Sequence, residues 1–412
     1  MEYYNTTSTR YYQIVKQPLR KMKLKMEILT HGEYVIGELV NDISQSNVGT
    51  ISANRQQGCR RSCSFSIIDK GEKYIPTPDS IFWQRRKFKL YIGVCDNEDI
   101  YWFSQGVFIT KDANANGDII TINGVDKYGL LNGELGTGMC MVDTKSTVTL
   151  NSSGKYVKNS VYIVDLIRQT LTMDMGDGQP FDPITPVIDP AFCDEQLSED
   201  VIINKGEYIG GLLDRIAEMY GAFIYYDVDG RLRMERIFNN FIPSYYRHLY
   251  PKYCFNEVNL SKTALQVAYS YDGFNIVTVS TDNTSGRVYT YTAKNENPKS
   301  PVCIQAVGER GYTGAEIKIA LGDTTINVNG EEKCRQYAEY LLLQNICMKV
   351  QVDFSYPLLP DLDVDNNVRI TNKNMNFDDE LFLVQSLSIP IGAKDMDISV
   401  VNHQWAGINT LS

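Results

Sequence analysis

The sequence predicts an α+β chain that is predominantly β: two strand-rich, barrel-like domains with a mixed helix-plus-hairpin domain between or beside them. Three observations predict it. Residues 207–237 read as one helix followed by one hairpin. Ile209, Leu212, Leu213, Ile216, Ala217 and Tyr220 recur at the spacing of one helical face. Gly221 stands where a helix stop is wanted. Asp229-Gly230, a pair favoured in two-residue hairpin turns, then separates two strand-forming runs. On both sides of this unit, short runs alternate apolar and polar residues between polar or Gly-containing turns, as in sandwiches and barrels. Finally, 412 residues, 43% hydrophobic and 22% charged, suit a soluble chain of two to four domains.

In order, residues 1–22 form an N-terminal arm in which Tyr3, Tyr4, Tyr11 and Tyr12 mix with Asn, Thr and Ser, ending in a basic stretch. It reads first as a frayed terminus and second as an arm that docks on a partner. Residues 23–135 form the first β-rich domain. Leu24, Met26 and Ile28 face one way, and further strands are expected at 64–68, 88–94, 101–109 and 119–125. Residues 136–158 read as a polar linker. Residues 159–240 form the mixed domain, with a helix over 160–172, a Pro/Asp/Gly-rich excursion from Met175, and the helix and hairpin. Residues 241–330 form a second β-rich domain with strands near 264–271, 275–280, 287–293 and 303–306. Residues 331–412 hold most of a helix starting at 329, where Asn329 and Glu332 resemble a capping box, and then four strands packing on the β domains.

Charge and chemistry narrow the function. A net charge of −10 argues against a general nucleic-acid coat and fits a surface past which nucleic acid slides. The 27 tyrosines against 15 phenylalanines suit half-buried strand faces and protein interfaces. Nine scattered cysteines, an odd number, point to reduced thiols and cytoplasmic folding. No run has the length of a secretion signal or a membrane helix.

No side-chain pattern nominates a reaction centre. His31, His248 and His403 lie in no metal-binding or catalytic motif and read as turn or surface residues, and Gly136-x-Gly138 lacks the third glycine of a dinucleotide fingerprint. Cys59 and Cys63 could hold two corners of a zinc site, but two further ligands at comparable spacing are missing, so they read as ordinary thiols. Asp112, Asn114, Asn116 and Asp118 reproduce the opening of a calcium loop. Asn123 stands where that loop needs a bidentate Glu, so a polar hairpin is preferred. Asp174, Asp177 and Asp182, and Asp361, Asp363 and Asp365, could pair as hydrolytic acids but read as solvated turns. Arg55, Arg60 and Arg61, with Arg85, Arg86 and Lys87, read as a solvated face, or as a surface for acidic neighbours. The expectation is no catalytic residue, no cofactor and no resident metal.

The order of elements resembles a known family. GVFITKDANANGDIITINGVDKYGLL (106–131) ends the first strand-rich domain. LLDRIAEMYGAFIYYDVDGRLRMERI (212–237) follows, then EEKCRQYAEYLLL (331–343), VQVDFSYPLLPDLDVDNNVRI (350–370) and LFLVQSLSIPI (381–391). Over residues 23–402 this resembles the baseplate hub, or tail-tip hub, proteins of tailed bacteriophages and prophages. The resemblance implies a structural virion protein and a homotrimer whose two strand-rich hub domains per chain make a ring of six similar units. Such a ring joins the hexameric tail tube to a threefold spike or fibre and passes tape-measure protein and DNA. It implies a tail-tube or distal tail protein, a spike or fibre protein and the tape-measure protein as partners. It also implies transient DNA passage without sequence-specific binding, no membrane segment, and assembly in the host cytoplasm into the virion tail. Since few residues follow Trp405, no added lytic domain is expected, and the family has no motif from which side-chain roles carry over. Symmetric closure would also cover the open edges of a mostly β chain. Two alternatives remain: a tail-associated cell-wall or polysaccharide-degrading enzyme, and a receptor-binding adhesin module.

Overall fold

The computed structural model of the protein describes residues 1–17, 20–40, 49–69, 85–141, 143–146, 148–150, 155–158, 160–173, 179–197, 201–220, 222–236, 251–257, 260, 265–270, 274–281, 288–317, 324–346, 348–391 and 395–404. The fold is α+β and predominantly β, as the sequence predicts.

The N-terminal third comprises β1 (Glu2–Tyr4), α1 (Thr9–Val15), β2 (Lys21–Leu29), β3 (Val35–Leu39), β4 (Gly49–Asn54), β5 (Arg61–Ile68), β6 (Lys87–Asp96), β7 (Asp99–Asn116) and β8 (Ile119–Asp126). Leu24, Met26 and Ile28 are buried together on one face of β2, as their alternation predicts. The expectation of a frayed arm is overturned. β1 pairs in parallel with β7, beside the part of that strand that β8 does not reach. Ser8 caps α1 through the Tyr11 N–H, and Tyr11, Ile14 and Val15 are buried. A three-residue strand and a two-turn helix are too short to show a period, which is why the sequence reads as irregular.

The middle third holds β9 (Thr144–Lys145), β10 (Val148–Leu150), β11 (Tyr156–Lys158), α2 (Ile163–Leu171), β12 (Val187–Ile188), β13 (Ile202–Ile203), α3 (Gly210–Tyr220), β14 (Ala222–Tyr226) and β15 (Leu232–Arg236). The expected linker thus carries three short strands, and β13 completes their sheet in the order β11-β10-β9-β13. Ile209, Leu212, Leu213 and Ile216 of the α3 stripe pack on Ile224, Leu232 and Met234 of the hairpin, joined by Leu166, Ile167 and Leu171 of α2. The hairpin turn differs from the expected two-residue form. Asp227 and Arg231 close it, and the Gly230 N–H donates to Asp227 O at 3.0 Å. The loop is therefore Val228-Asp229-Gly230, with only Gly230 at positive φ (74°), a type I turn plus glycine bulge. Gly221 lies outside the described residues.

The last third comprises β16 (Tyr253–Asn256), β17 (Gln266–Ser270), β18 (Ile276–Thr281), β19 (Thr290–Lys294), α4 (Ile304–Val307), β20 (Gly311–Ile317), α5 (Thr324–Ile346), β21 (Met348–Pro357), β22 (Asn367–Asn372), β23 (Phe377–Ile391) and β24 (Asp395–Gln404). Cys334, Ala338, Leu342 and Ile346, one face of α5, cover Val277 and Val279 of the β19-β18-β20 sheet. Two local expectations change. α5 begins at Thr324, so Asn329 sits inside the helix and is not its cap. Residues 303–306 make a helical turn instead of a strand. Gln305 and Ala306 favour helix, and Gly308 at φ 74° ends it.

One large sheet joins the ends of the chain, in the order β17-β21-β24-β23-β4-β5-β8-β7-β6-β2-β3. The seam is antiparallel, with Ser386 opposite Asn54 and Ile391 opposite Gly49. One core cluster accordingly mixes Ile51, Phe65 and Phe88 with Val350, Leu387 and Ile398. Gly230 packs the hairpin loop against this sheet, and a Cβ added there would lie 2.6 Å from Val107 Cγ2. Gly230→Ala adds this clash to left-handed strain, so it should lower stability by about 1–3 kcal/mol in chemical denaturation.

Candidate functional site

The densest chemistry lies where the N-terminal sheet, the hairpin and the loop between β21 and β22 meet. Asp363 accepts from Arg61 Nη2 at 2.5 and 2.6 Å. Asp365 accepts from Arg60 Nη1 at 2.6 Å and from Arg55 Nε. The Arg60 guanidinium lies 3.4 Å from the centre of the Tyr225 ring, and Arg55 lies 4.5 Å from that of Phe223. All three arginines are buried. The expectations of a solvated or partner-facing arginine turn, and of solvated aspartates, are both overturned for these residues. Charges leave water only when paired, and each finds its partner some 302 to 310 residues away, beyond any local pattern. Of the second basic turn, Arg85 is exposed while Lys87 is buried.

Two more junctions surround this one. Asp361 Oδ1 accepts from Tyr11 at 2.5 Å and Tyr253 at 2.6 Å, so the N-terminal helix is tied to the same loop. Burial, then the Asp361 charge, hold both phenols well above their ordinary pKa. Lys127 Nζ donates to Asp182 Oδ1 at 2.9 Å, to Gly230 O at 2.7 Å and to Glu33. Tyr226 donates to Asp182 Oδ2 at 2.9 Å, so this aspartate is a buried tie and not a solvated turn residue. Lys25 is buried among Tyr4, Tyr91 and Trp102. Burial opposes its charge, but hydrogen bonds to Tyr4 and Glu27 outweigh that and raise its pKa. Nothing in the alternation of β2 signals this burial, because the N-terminal strand that brings Tyr4 to Lys25 is too short to show a period.

Asp126 caps the turn after β8. It accepts from Cys59 Sγ at 3.2 Å, from the Arg61 N–H at 2.9 Å and from the Tyr128 N–H at 2.9 Å. Burial pushes its carboxyl up to about 6 against these donors. Burial also pushes the Cys59 and Cys63 thiols up, so neither is poised to ionise. Asp112, Asn114 and Asn116 lie along β7, and Gly117-Asp118 form the turn into β8, with Gly117 at φ 59°. Asn123 Nδ2 donates to Asp112 Oδ1 at 2.5 Å across that hairpin. These residues therefore lie along a strand-turn-strand, without the wrapped loop that gathers calcium ligands. His31 Nε2 lies 2.7 Å from Pro180 O, and His403 falls in β24. His248, Asp174 and Asp177 lie outside the described residues.

A cavity of about 350 Å³ opens beside the junction, with Arg61, Asp361 and Asp363 on one wall and Phe103, Leu387 and Ile389 among its apolar lining. Arg61 and Asp363 pair with each other, Asp361 accepts from Tyr11 and Tyr253 and lies 3.5 Å from Lys252 Nζ, and Asp229 pairs with Lys89, so the charged lining clamps regions of the chain together.

No family model matches the sequence, and no curated protein matches it. Solved structures do. A tail protein from Neisseria meningitidis MC58 aligns at TM-score 0.56 and 11% identity, over 92% of this chain and 96% of that one. The chain shares the fold of this tail protein. The 43 kDa tail protein of prophage MuSo2 from Shewanella oneidensis agrees, at TM-score 0.52 and 12% identity, over 92% of this chain and 98% of that one. A Francisella PdpA–VgrG complex aligns at TM-score 0.50 and 8% identity, over 95% of this chain and 54% of that one. The first two likenesses run nearly end to end on both chains, so the tail-protein fold is shared as a whole architecture and not as one motif.

Two substitutions test the junction. Asp363→Ala strands the buried Arg61 charge and should cost about 3 kcal/mol in urea unfolding. Asp126→Asn tests the buried cap. The folded-state pKa lies above the ordinary 3.8, so the folded form holds the proton more tightly. This group therefore adds stability as pH falls from about 6 toward 4 and opposes folding above that window. Relative to Asp126→Asn, the natural chain should gain about 2 kcal/mol between pH 7 and pH 4 in urea titrations.

Proposed function

We propose that this chain is a structural component of a phage-type tail tip or baseplate: a homotrimeric hub that joins a hexameric tail tube to a threefold spike or fibre. Its ring leaves a conduit for tape-measure protein and DNA, and it contacts the tube or distal tail protein on one side and the spike or fibre on the other. The observation that carries this reading is the end-to-end likeness in fold to tail proteins. The charge distribution supports it. A net −10 lets DNA phosphates pass without being held, whereas a basic wall would retain them. Of the six carboxylates that the sequence offers as hydrolytic acids, the four among the described residues, Asp182, Asp361, Asp363 and Asp365, are each bound by Lys, Arg or Tyr of the same chain. They serve as ties between regions, which favours a building block over an enzyme.

Electron microscopy of the purified assembly, with sedimentation of the isolated chain, tests this. The expected result is a threefold particle with an axial channel. A lasting monomer in the presence of its tail neighbours would overturn it, as would peptidoglycan cleavage on a zymogram that disappears when Asp361 or Asp363 is replaced.

A further inference from the structure

The main sheet ends on β3 at one side and on β17 at the other, and among the described residues no strand pairs with either outer edge. A terminal strand carries a row of unmatched N–H and C=O groups, and folded chains usually blunt such a row with charges, proline or a covering element. Among the described residues neither edge carries a proline or a further strand, and charge is sparse. β17 reads Gln-Val-Ala-Tyr-Ser with no charge, and β3 reads Val-Ile-Gly-Glu-Leu with one. Both strands also carry exposed apolar side chains, although Leu39 of β3 is buried. Val35 and Ile36 are 55% and 43% exposed, and the adjoining Tyr34 is 77% exposed. In β17 no residue is buried, and Tyr269 is 54% exposed. The strands one step inward differ: Met26 and Ile28 of β2, and Val350 and Val352 of β21, are fully buried. Each rim of the sheet thus offers both backbone groups and apolar side chains.

We propose that the two rims are partners of each other between copies of this chain, β3 of one protomer pairing with β17 of the next. The occupant of each edge is then a second copy. The two strands match in length, at five residues each. The single carboxylate of β3 meets an uncharged strand, so no like-charge contact opposes the pairing. One head-to-tail contact, repeated about an axis, satisfies both edges of every protomer and closes into a ring, whereas a different partner on one edge leaves the other bare. The inference rests on the ring reading above and names the surface that builds the ring.

The test uses the full chain carrying Ile36→Cys and Tyr269→Cys together, exposed to a short thiol cross-linker and run on a denaturing gel. The natural chain, with its own exposed Cys193 and Cys254, and the two single variants serve as controls. The expected result is a covalent ladder specific to the double variant. A parallel Ile36→Lys chain should lose the oligomer in sedimentation while keeping its circular dichroism spectrum. A trimer whose cross-linking does not depend on both cysteines overturns the edge pairing and leaves the ring reading standing. A link formed by Ile36→Cys alone means β3 meets β3 across a twofold axis, which also overturns it. A chain that stays monomeric with its tail neighbours present overturns both readings.

Discussion

A charge taken out of water must meet its opposite inside the protein, and this chain meets that requirement across its longest sequence separations. Arg61 and Asp363, and Arg55 and Arg60 with Asp365, bridge the first sixty-odd residues to the last fifth of the chain. Lys127 binds Glu33, Asp182 and Gly230 at once, tying four separate stretches. Apolar packing alone is non-directional and would tolerate several arrangements of the same sheets. The two Asp363 oxygens facing one Arg61 nitrogen, and the Arg60 plane stacked on Tyr225, accept far fewer. Pairs of this kind add little net stability over apolar substitutes, yet are expensive to break singly. Their contribution is the fixed placement of three regions relative to one another.

That placement explains the character of the site. The hairpin loop reaches the main sheet through Ser104 Oγ donating to Val228 O and Lys89 pairing with Asp229. The β21–β22 loop reaches it through the arginines and through Gln105 Nε2 donating to Pro360 O. The N-terminal helix reaches the same loop through Tyr11. The polar groups of this junction hold three regions of the chain in fixed relation.

Much of this was legible in the sequence where one face of an element is buried and the run is long enough to show it. The α3 stripe, the strands from 87 to 126 and the last four strands fall where the sequence places them, although β6 and β7 are buried on both faces over much of their length. Short elements were not legible: β1, α1 and the strands between 144 and 158 are too brief to establish a period. Nor was the junction. Asp361, Asp363 and Asp365 in a proline-containing loop carry the local signature of solvated turns. Only their contact with residues far away in the chain makes them partners of buried side chains. The burial of Lys25 was illegible for a related reason, since alternation assumes one wet face and Tyr4 of the N-terminal strand packs on it.

The seam between β4 and β23 has a consequence for how the protein is made. When β4 leaves the ribosome, the strand that will cover its edge has not been synthesised, and at the usual ~5–20 residues per second it follows tens of seconds later. During that interval Ile51 and Ala53 have only half of their core. Arg55, Arg60 and Arg61 must meanwhile stay hydrated, because their aspartates do not yet exist. Three arginines beside an unfinished edge keep the nascent sheet soluble and discourage premature strand pairing. The same side chains that later lock the two ends together first act as guardians of the half-made one.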